Sequence, residues 1–242
     1  MSGAAEAEVP KATFAARILL VDIEGTLGPV AYVRDVLFPF AASRLIDFVA
    51  KHCAEPSVAA ALLEAAELSG GDPLHALEEW QRLDVKAKPL KTLQGRIWAE
   101  GYAEGAFSSP VFPDALAALR RWRRDGFPIY VYSSGSQEAQ ELYFAHSEVG
   151  DIRSLFSGFF DTSIGAKLAP ASFLAIATTI GASPDDILFL SDNPAELVAG
   201  TEAGLQVAHV VKDSQGADPR FSTVRNFGDL HLKHKSAAEA IG

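Results

Sequence analysis

Asp22 and Glu24 stand two positions apart, directly after the apolar run of residues 18–21. If the chain leaves a strand here in a tight loop, the first carboxylate faces a ligand and the second lies within reach of a leaving group. Gly25 permits such a turn, and Thr26 offers a hydroxyl to the loop or to a phosphate oxygen. The same pentapeptide also fits a strand end with two solvated acids. Other residues of the sequence are therefore needed to show whether one acid acts as a nucleophile and the other as a general acid and base.

Polar residues recur where later apolar runs end. Ser133 and Ser134 precede a predicted helix, where hydroxyls and backbone N–H groups form an anion site. Lys167 stands near the start of another helix, and Asp192 follows a third run. Singly, these residues also fit a helix N-cap, a surface lysine and a helix-start acid. Together with the acid pair they match metal-assisted phosphoryl transfer, in which a carboxylate attacks phosphorus, donors hold its oxygens and Mg²⁺ offsets the repulsion between anions.

Alternating strands and helices must position these side chains. Four short apolar runs predict buried strands, at residues 17–22, 128–132, 187–190 and 207–211. Amphipathic segments predict the helices between them, at residues 113–124, 136–146, 170–180 and 194–203. This alternation is typical of an α/β fold with a doubly wound parallel sheet, which binds ligands at the carboxyl ends of its strands.

Residues 33–107 have a different pattern, because they contain no comparable apolar run and space their apolar residues as helices do. We therefore predict a core domain of residues 14–32 and 108–242 with a helical cap domain inserted at 33–107. The cap is expected to close over the strand ends and exclude water. The polar tail from Ser214 onward, with His231 and His234, is expected to be solvated.

Composition limits the partners. The 242 residues are 48% hydrophobic and carry a net charge of −10, which argues against nucleic acid but allows a small phosphorylated substrate held by local donors and a metal. The single cysteine, Cys53, excludes an intrachain disulfide and is expected to be a buried, inert thiol. Residues 1–10 lack the basic start and apolar run of a signal peptide, and no apolar stretch approaches about 18 residues, so we expect a cytoplasmic protein with no membrane partner. Since a core domain with a cap could act alone, we also expect a monomer.

The four polar segments resemble the four motifs of the haloacid dehalogenase-like hydrolase superfamily. The resemblance extends to its enolase-phosphatases, the acireductone synthases. The matching segments lie at residues 22–26, 33–39, 93–98, 131–136, 138–140, 150–152, 160–162 and 165–167. Glu24 is informative because most members of the superfamily carry Asp at that position. Residues 93–98 lie in the predicted cap, outside the shared core motifs.

The resemblance implies a Mg²⁺-dependent phosphatase, a phosphoric monoester hydrolase. Asp22 corresponds to the nucleophile and to a Mg²⁺ ligand. Glu24 corresponds to the acid/base residue, whose backbone carbonyl lies near the metal. Asp192 corresponds to the residue that completes the metal site.

The resemblance also implies a substrate. Ser133, Ser134 and Lys167 correspond to residues that bind its phosphate. The family converts 2,3-diketo-5-methylthiopentyl-1-phosphate to the acireductone 1,2-dihydroxy-3-keto-5-methylthiopentene and phosphate, a step of methionine salvage. Residues 27–29 depart from the family pattern, which leaves a plain Mg²⁺-dependent phosphatase without the enolase step as one alternative. A non-catalytic binding protein on the same fold is another.

Overall fold

A computed structural model describes residues 12–212 and 216–235. Within them, one parallel sheet has the strand order β4-β3-β2-β5-β6-β7, and a second parallel pair joins β1 to β8. The strands are β1 (Ala12–Ala16), β2 (Ile18–Val21), β3 (Ile129–Tyr132), β4 (Gly158–Phe160), β5 (Ile187–Ser191), β6 (Gln206–Val210), β7 (Thr223–Val224) and β8 (Leu230–His234). The predicted α/β fold with a parallel sheet is therefore confirmed.

Helices connect these strands, and several of them begin with proline, which suits a first helical position because its missing N–H has no partner there. They are α1 (Val30–Tyr32), a π-helical turn (Val33–Leu37), α2 (Phe38–His52), α3 (Pro56–Ser69), α4 (Pro73–Arg82), α5 (Lys88–Ala103), α6 (Pro113–Arg124), α7 (Gln137–Ala145), α8 (Pro170–Thr179) and α9 (Pro194–Glu202). The four helices predicted between the strands are thus present, within two residues of their expected ends.

The sheet order reverses beside β2. From β2 the chain continues to β3 and β4 on one side, and β5, β6 and β7 lie on the other. The strands are apolar because both faces of the sheet are covered, and every residue of β5 is buried. An open parallel sheet binds ligands where its strand order reverses, which here is at the carboxyl ends of β2 and β5.

The described residues divide into two compact units. Residues 29–110 and 135–153 form one unit, and the other described residues form the second. The helical unit has its own apolar core, which includes Leu45, Leu77 and Leu93. Residues 135–153 group with the helices because α7 packs against α5. The domain boundaries expected from the sequence, and the closure of the cap, stay predictions.

The expectation of a solvated tail from Ser214 onward is wrong for residues 216–235, while Ser214 itself lies outside the described residues. This segment forms β7 and β8 and buries three apolar side chains, those of Val224, Phe227 and Leu230. His231 and His234 are both exposed, and the ring of His234 stacks on Phe127 with centroids 4.0 Å apart. The strands escaped prediction because one is only two residues long and the other alternates apolar with polar residues.

Two further observations concern exposure. Cys53 is exposed, so the expectation of a buried thiol is wrong. It is the C-cap residue of α2 and lies beyond Phe48 and Val49, the last side chains of this helix that are buried. Among the described residues, no helix combines the length and the apolar character that crossing a bilayer requires.

Asp114 in the first turn of α6 joins that helix to Lys212 and Phe227. Its Oδ2 accepts hydrogen bonds from Lys212 Nζ and, at 2.9 Å, from the backbone N–H of Phe227. Burial alone raises the pKa of Asp114, but the Lys212 ammonium and the backbone donors outweigh it and hold the pKa below its ordinary value. Because the folded-state pKa is depressed, the carboxylate stabilises the fold above its unfolded-state pKa and loses this effect as the pH falls through the folded-state value.

We therefore expect Asp114→Asn to lower the free energy of unfolding by about 2 kcal/mol at pH 7, since Lys212 loses its charged partner. Urea unfolding at several pH values measures the effect, and the difference from wild type must shrink in acid. The exposed Asp47, changed to Asn, is the control and should cost less than about 0.5 kcal/mol. A difference that grows as the pH falls contradicts this assignment.

Candidate active site

Asp22 leaves β2 into a tight loop. Its backbone N–H donates to the carbonyl of Leu190 at 2.9 Å, which continues the pairing of β2 with β5 by one residue. The backbone N–H groups of Leu27 and Gly28 both donate to the carbonyl of Ile23, at 2.8 and 3.0 Å. The loop is therefore closed on itself, and it holds the buried Asp22 carboxylate at the end of its strand.

Gly25 brings this loop against Asp192. Its φ is +72°, and a Cβ atom at this position would overlap with Oδ2 of Asp192. The backbone N–H of Asp192 donates to Thr26 Oγ1 at 3.1 Å. The loop after β2 and the turn after β5 are thus packed together through a glycine that no larger residue can replace without displacing the acid.

Lys167 lies buried between two carboxylates. Its Nζ is 2.6 Å from Asp22 Oδ1 and 2.7 Å from Glu196 Oε2. The segment that carries Lys167 is held by Tyr132, whose hydroxyl donates to the carbonyl of Gly165 at 2.9 Å. The structure therefore brings together a lysine and an aspartate that are far apart in sequence.

Glu196 belongs to this cluster, although it was not among the predicted site residues. It lies in the first turn of α9 and also accepts a hydrogen bond from Ser191 Oγ at 2.9 Å. The available signal was its position in the first turn of the helix that begins directly after Asp192 and Asn193. Asn193 caps this helix, since its Oδ1 accepts from the backbone N–H of Ala195.

The charges of the cluster shift its pKa values strongly. Burial, with the negative charges of Asp22 and Glu196, raises the pKa of Asp192 to about 7, while Lys167 opposes the rise. Burial and the charge of Asp22 likewise raise the pKa of Glu196. Burial lowers the pKa of Lys167, but the two carboxylates outweigh it and raise that pKa above its ordinary value. The site thus holds more negative charge than one lysine balances, which favours a cation.

The other predicted site residues lie at neighbouring strand ends. Ser133 and Ser134 follow β3, which pairs with β2 in parallel, so that Val131 is aligned with Val21. Ser133 is buried and its backbone N–H donates to Phe160, whereas Ser134 is exposed. Both serines therefore follow the strand that adjoins the strand of the predicted nucleophile.

Glu24 lies in the loop two residues after Asp22 and is half-buried. Its backbone forms a bridge with Gly28, which fixes the position of the peptide group that the family resemblance implies to lie near a metal. The structure thus positions the loop carrying both acids, while the chemical role of Glu24 stays a prediction.

The donor set fits Mg²⁺. No group of three or more His, Cys, Asp or Glu side chains between residues 12 and 235, leaving out 213–215, has the arrangement of a metal site. Mg²⁺ needs fewer, because it is commonly bound by one or two carboxylates, waters and substrate phosphate oxygens. Asp22 and Asp192 leave neighbouring strands and lie close enough for the charge of one to raise the pKa of the other.

Residues 27–29 depart from the enolase-phosphatase pattern, as do Asn193 and Pro194, which stand where the family usually has an apolar residue after the metal-binding acid. Leu27 is completely buried, and its backbone carbonyl accepts from Phe112. Asn193 and Pro194 form the N-cap and the first residue of α9. These residues stabilise the loops that carry Asp22 and Asp192.

The fold and the site define the class of this protein. The pattern of the haloacid dehalogenase-like hydrolases matches residues 16–204, so the chain is a hydrolase of this class. Enolase-phosphatase E1 of Bradyrhizobium sp. (strain BTAi1) is 51% identical over 220 residues, which span 90% of this chain and 96% of that one. Enolase-phosphatase E1 of Aquifex aeolicus (strain VF5) is 41% identical over 221 residues, which span 89% and 99%. The chain therefore belongs to the enolase-phosphatase E1 family, as its motifs predicted.

Solved structures of other proteins have a similar fold. The UTR4 protein of Saccharomyces cerevisiae has a TM-score of 0.74 and 30% identity, covering 87% of this chain and 98% of that chain. CbbY of Rhodobacter sphaeroides, solved in complex with phosphate, has a TM-score of 0.58 at 15% identity and covers 90% and 97%. At that identity the likeness concerns the fold alone.

We expect Gly25→Ala to lower the free energy of unfolding by roughly 2 kcal/mol or more, because it adds a steric contact with Asp192 to the strain of a positive φ. Gly181→Ala is the matched control, since Gly181 has a φ of +68° and open space around it. The control should cost only about 1 kcal/mol. Chemical unfolding measures both, and equal losses contradict the close approach of Gly25 to Asp192.

Proposed function

We propose that this chain is a Mg²⁺-dependent enolase-phosphatase that converts 2,3-diketo-5-methylthiopentyl-1-phosphate to 1,2-dihydroxy-3-keto-5-methylthiopentene and phosphate in methionine salvage. The observation that carries the proposal is the buried contact of Asp22 with Lys167, in a chain of this family. A carboxylate at the carboxyl end of a central strand, beside a fixed ammonium, is suited to attack a bound phosphate ester.

Asp22 is the nucleophile in the proposed phosphoryl transfer. Its carboxylate oxygen attacks phosphorus, the bond between phosphorus and the ester oxygen breaks, and an acyl phosphate forms on Asp22. Lys167, Ser133 and Ser134 hold the non-bridging oxygens, whose charge they stabilise. Glu24 gives a proton to the departing oxygen. Water then attacks the acyl phosphate, Glu24 takes up a proton from it, and phosphate and the free carboxylate are restored.

Enolisation precedes this transfer. A proton leaves carbon 1 of the substrate, and the oxygen on carbon 2 takes one from the solvent, so that the diketone becomes an enol before the phosphate departs. We assign the removal of this proton to Glu24, the acid that lies in the loop beside the nucleophile. In this proposal Asp22 attacks phosphorus and Glu24 transfers protons, so the two acids, two positions apart in one loop, have separate roles.

Asp22, Asp192 and the backbone carbonyl of Glu24 would hold the Mg²⁺. When bound, the ion supplies positive charge that offsets the repulsion between carboxylate and phosphate and stabilises the enolate charge. The substrate is thus a small phosphorylated diketone, and the net charge of −10 makes nucleic acid an unfavourable partner. The cytoplasmic location and the monomeric state stay predictions, and size-exclusion chromatography tests the latter.

Asp22→Asn tests the phosphatase role. We expect Mg²⁺-dependent phosphate release to fall by at least about 1000-fold, because an amide does not attack phosphorus. Lys167 keeps Glu196 as a charged partner, so the variant should remain folded by circular dichroism. Asp47→Asn is the control and should release phosphate at the wild-type rate. Phosphate release by Asp22→Asn at more than a tenth of that rate overturns the assignment.

The enolase step is tested on the diketo phosphate by following enol absorbance and phosphate release in the same sample. Wild type should show a transient enol before phosphate appears, and Glu24→Gln should slow its formation by about 100-fold or more. Phosphate release with no enol at any time favours the plain phosphatase. No turnover of any phosphate ester by wild type favours a binding protein.

A further inference from the structure

His209 is a buried residue that contacts the turn after β5. It lies near the end of β6, where it is aligned with Ser191, and only 4% of its surface is exposed. Its backbone N–H donates to the carbonyl of Ser222 at 2.9 Å. The backbone of His209 is therefore fixed from both sides, by β5 and by the segment that leads into β7.

The two ring nitrogens of His209 have partners that determine its tautomer. The backbone N–H of Asp218 points at Nδ1, 3.2 Å away, so Nδ1 must accept and carries no proton. The backbone carbonyl of Asp192 lies 3.1 Å from Nε2 and can only accept. The proton of the neutral ring is therefore on Nε2, which donates to Asp192.

This hydrogen bond and the one from Asp192 to Thr26 hold the two peptide groups that flank the Asp192 side chain. The N–H of Asp192 is held by Thr26, and its carbonyl is held by His209. Asp192 lies between the end of β5 and the start of α9, where neither element's backbone pattern includes it. Side chains from two other segments therefore determine where its carboxylate lies.

We propose that His209 is a positioning residue for the Mg²⁺ site, acting through the backbone of Asp192. The inference rests on the proposed function, because it requires Asp192 to be a metal ligand. Groups that orient a metal ligand from behind commonly change metal affinity by 10–100-fold when they are removed. Loss of the hydrogen-bond donor at the position of Nε2 should therefore weaken Mg²⁺ binding. Loss of the imidazole ring should not weaken it, provided that another side chain supplies the donor.

Two variants of similar side-chain length separate the donor from the ring. His209→Gln keeps an N–H donor near the position of Nε2, and His209→Met fills similar space without a donor. Isothermal titration of each metal-free protein with MgCl₂ measures affinity without turnover. We expect His209→Met to bind Mg²⁺ about 10-fold more weakly than wild type, and His209→Gln to stay within about threefold.

A kinetic readout on the diketo phosphate accompanies the titration. The Mg²⁺ concentration for half-maximal rate should rise about 10-fold in His209→Met, while kcat at saturating Mg²⁺ and KM stay within about twofold of wild type. A loss of kcat without a change in Mg²⁺ dependence overturns the proposal, since it indicates general damage. Should His209→Met fail to fold, His209→Asn replaces it, because its shorter amide reaches only the position of Nδ1.

The outcomes separate this inference from the proposed function. Equal Mg²⁺ affinity in wild type and all folded variants overturns the role of His209 and leaves the proposed function standing. Equal weakening in the Gln and donor-free variants also overturns it, because the donor then makes no difference. Wild-type protein that binds no Mg²⁺ overturns both.

Discussion

Lys167 holds two buried carboxylates, those of Asp22 and Glu196, at hydrogen-bond distance from one ammonium group. Buried like charges repel, and each loses the hydration that it has in water. The lysine relieves that repulsion, and it joins the loop after β2, the segment before α8 and the first turn of α9. The remaining negative charge, expressed in the raised pKa of Asp192, is what a divalent cation would neutralise. The ion pairs of Lys167 therefore depend on the strand order that brings these acids together, and the charge that the lysine leaves unbalanced determines whether a cation is favoured.

The sequence was sufficient for the central elements because their signals are local. Apolar runs such as residues 187–190 identify strands covered on both faces, and the caps Ser136 and Asn193 mark helix starts. Asp22 and Asp192 could be recognised because each lies within two residues of the end of such a run. The parallel order of β2 and β5 then brings their ends together, which is a property of the fold class.

Other features depend on contacts between distant segments, which no local pattern contains. Glu196 resembles an ordinary helix-start acid until Lys167 is placed beside it. The pair of β1 and β8 joins opposite ends of the described chain, and β8 alternates polar with apolar residues as a surface strand does. Leu27 departs from the family pattern at a position where the fold requires a buried side chain. These features become evident only from the packing.

The strand order also constrains how the chain acquires its fold. β2 lies in the middle of the sheet, yet its neighbours β3 and β5 are encoded after the helices α2–α5. During synthesis, the apolar segment of β2 therefore emerges long before either strand that will cover its edges. Closing such long loops slows folding, and an unpaired apolar strand is prone to association with other chains. The placement of the nucleophile at the centre of the sheet thus leaves one edge of its strand unpaired in the nascent chain until residue 191 has been made.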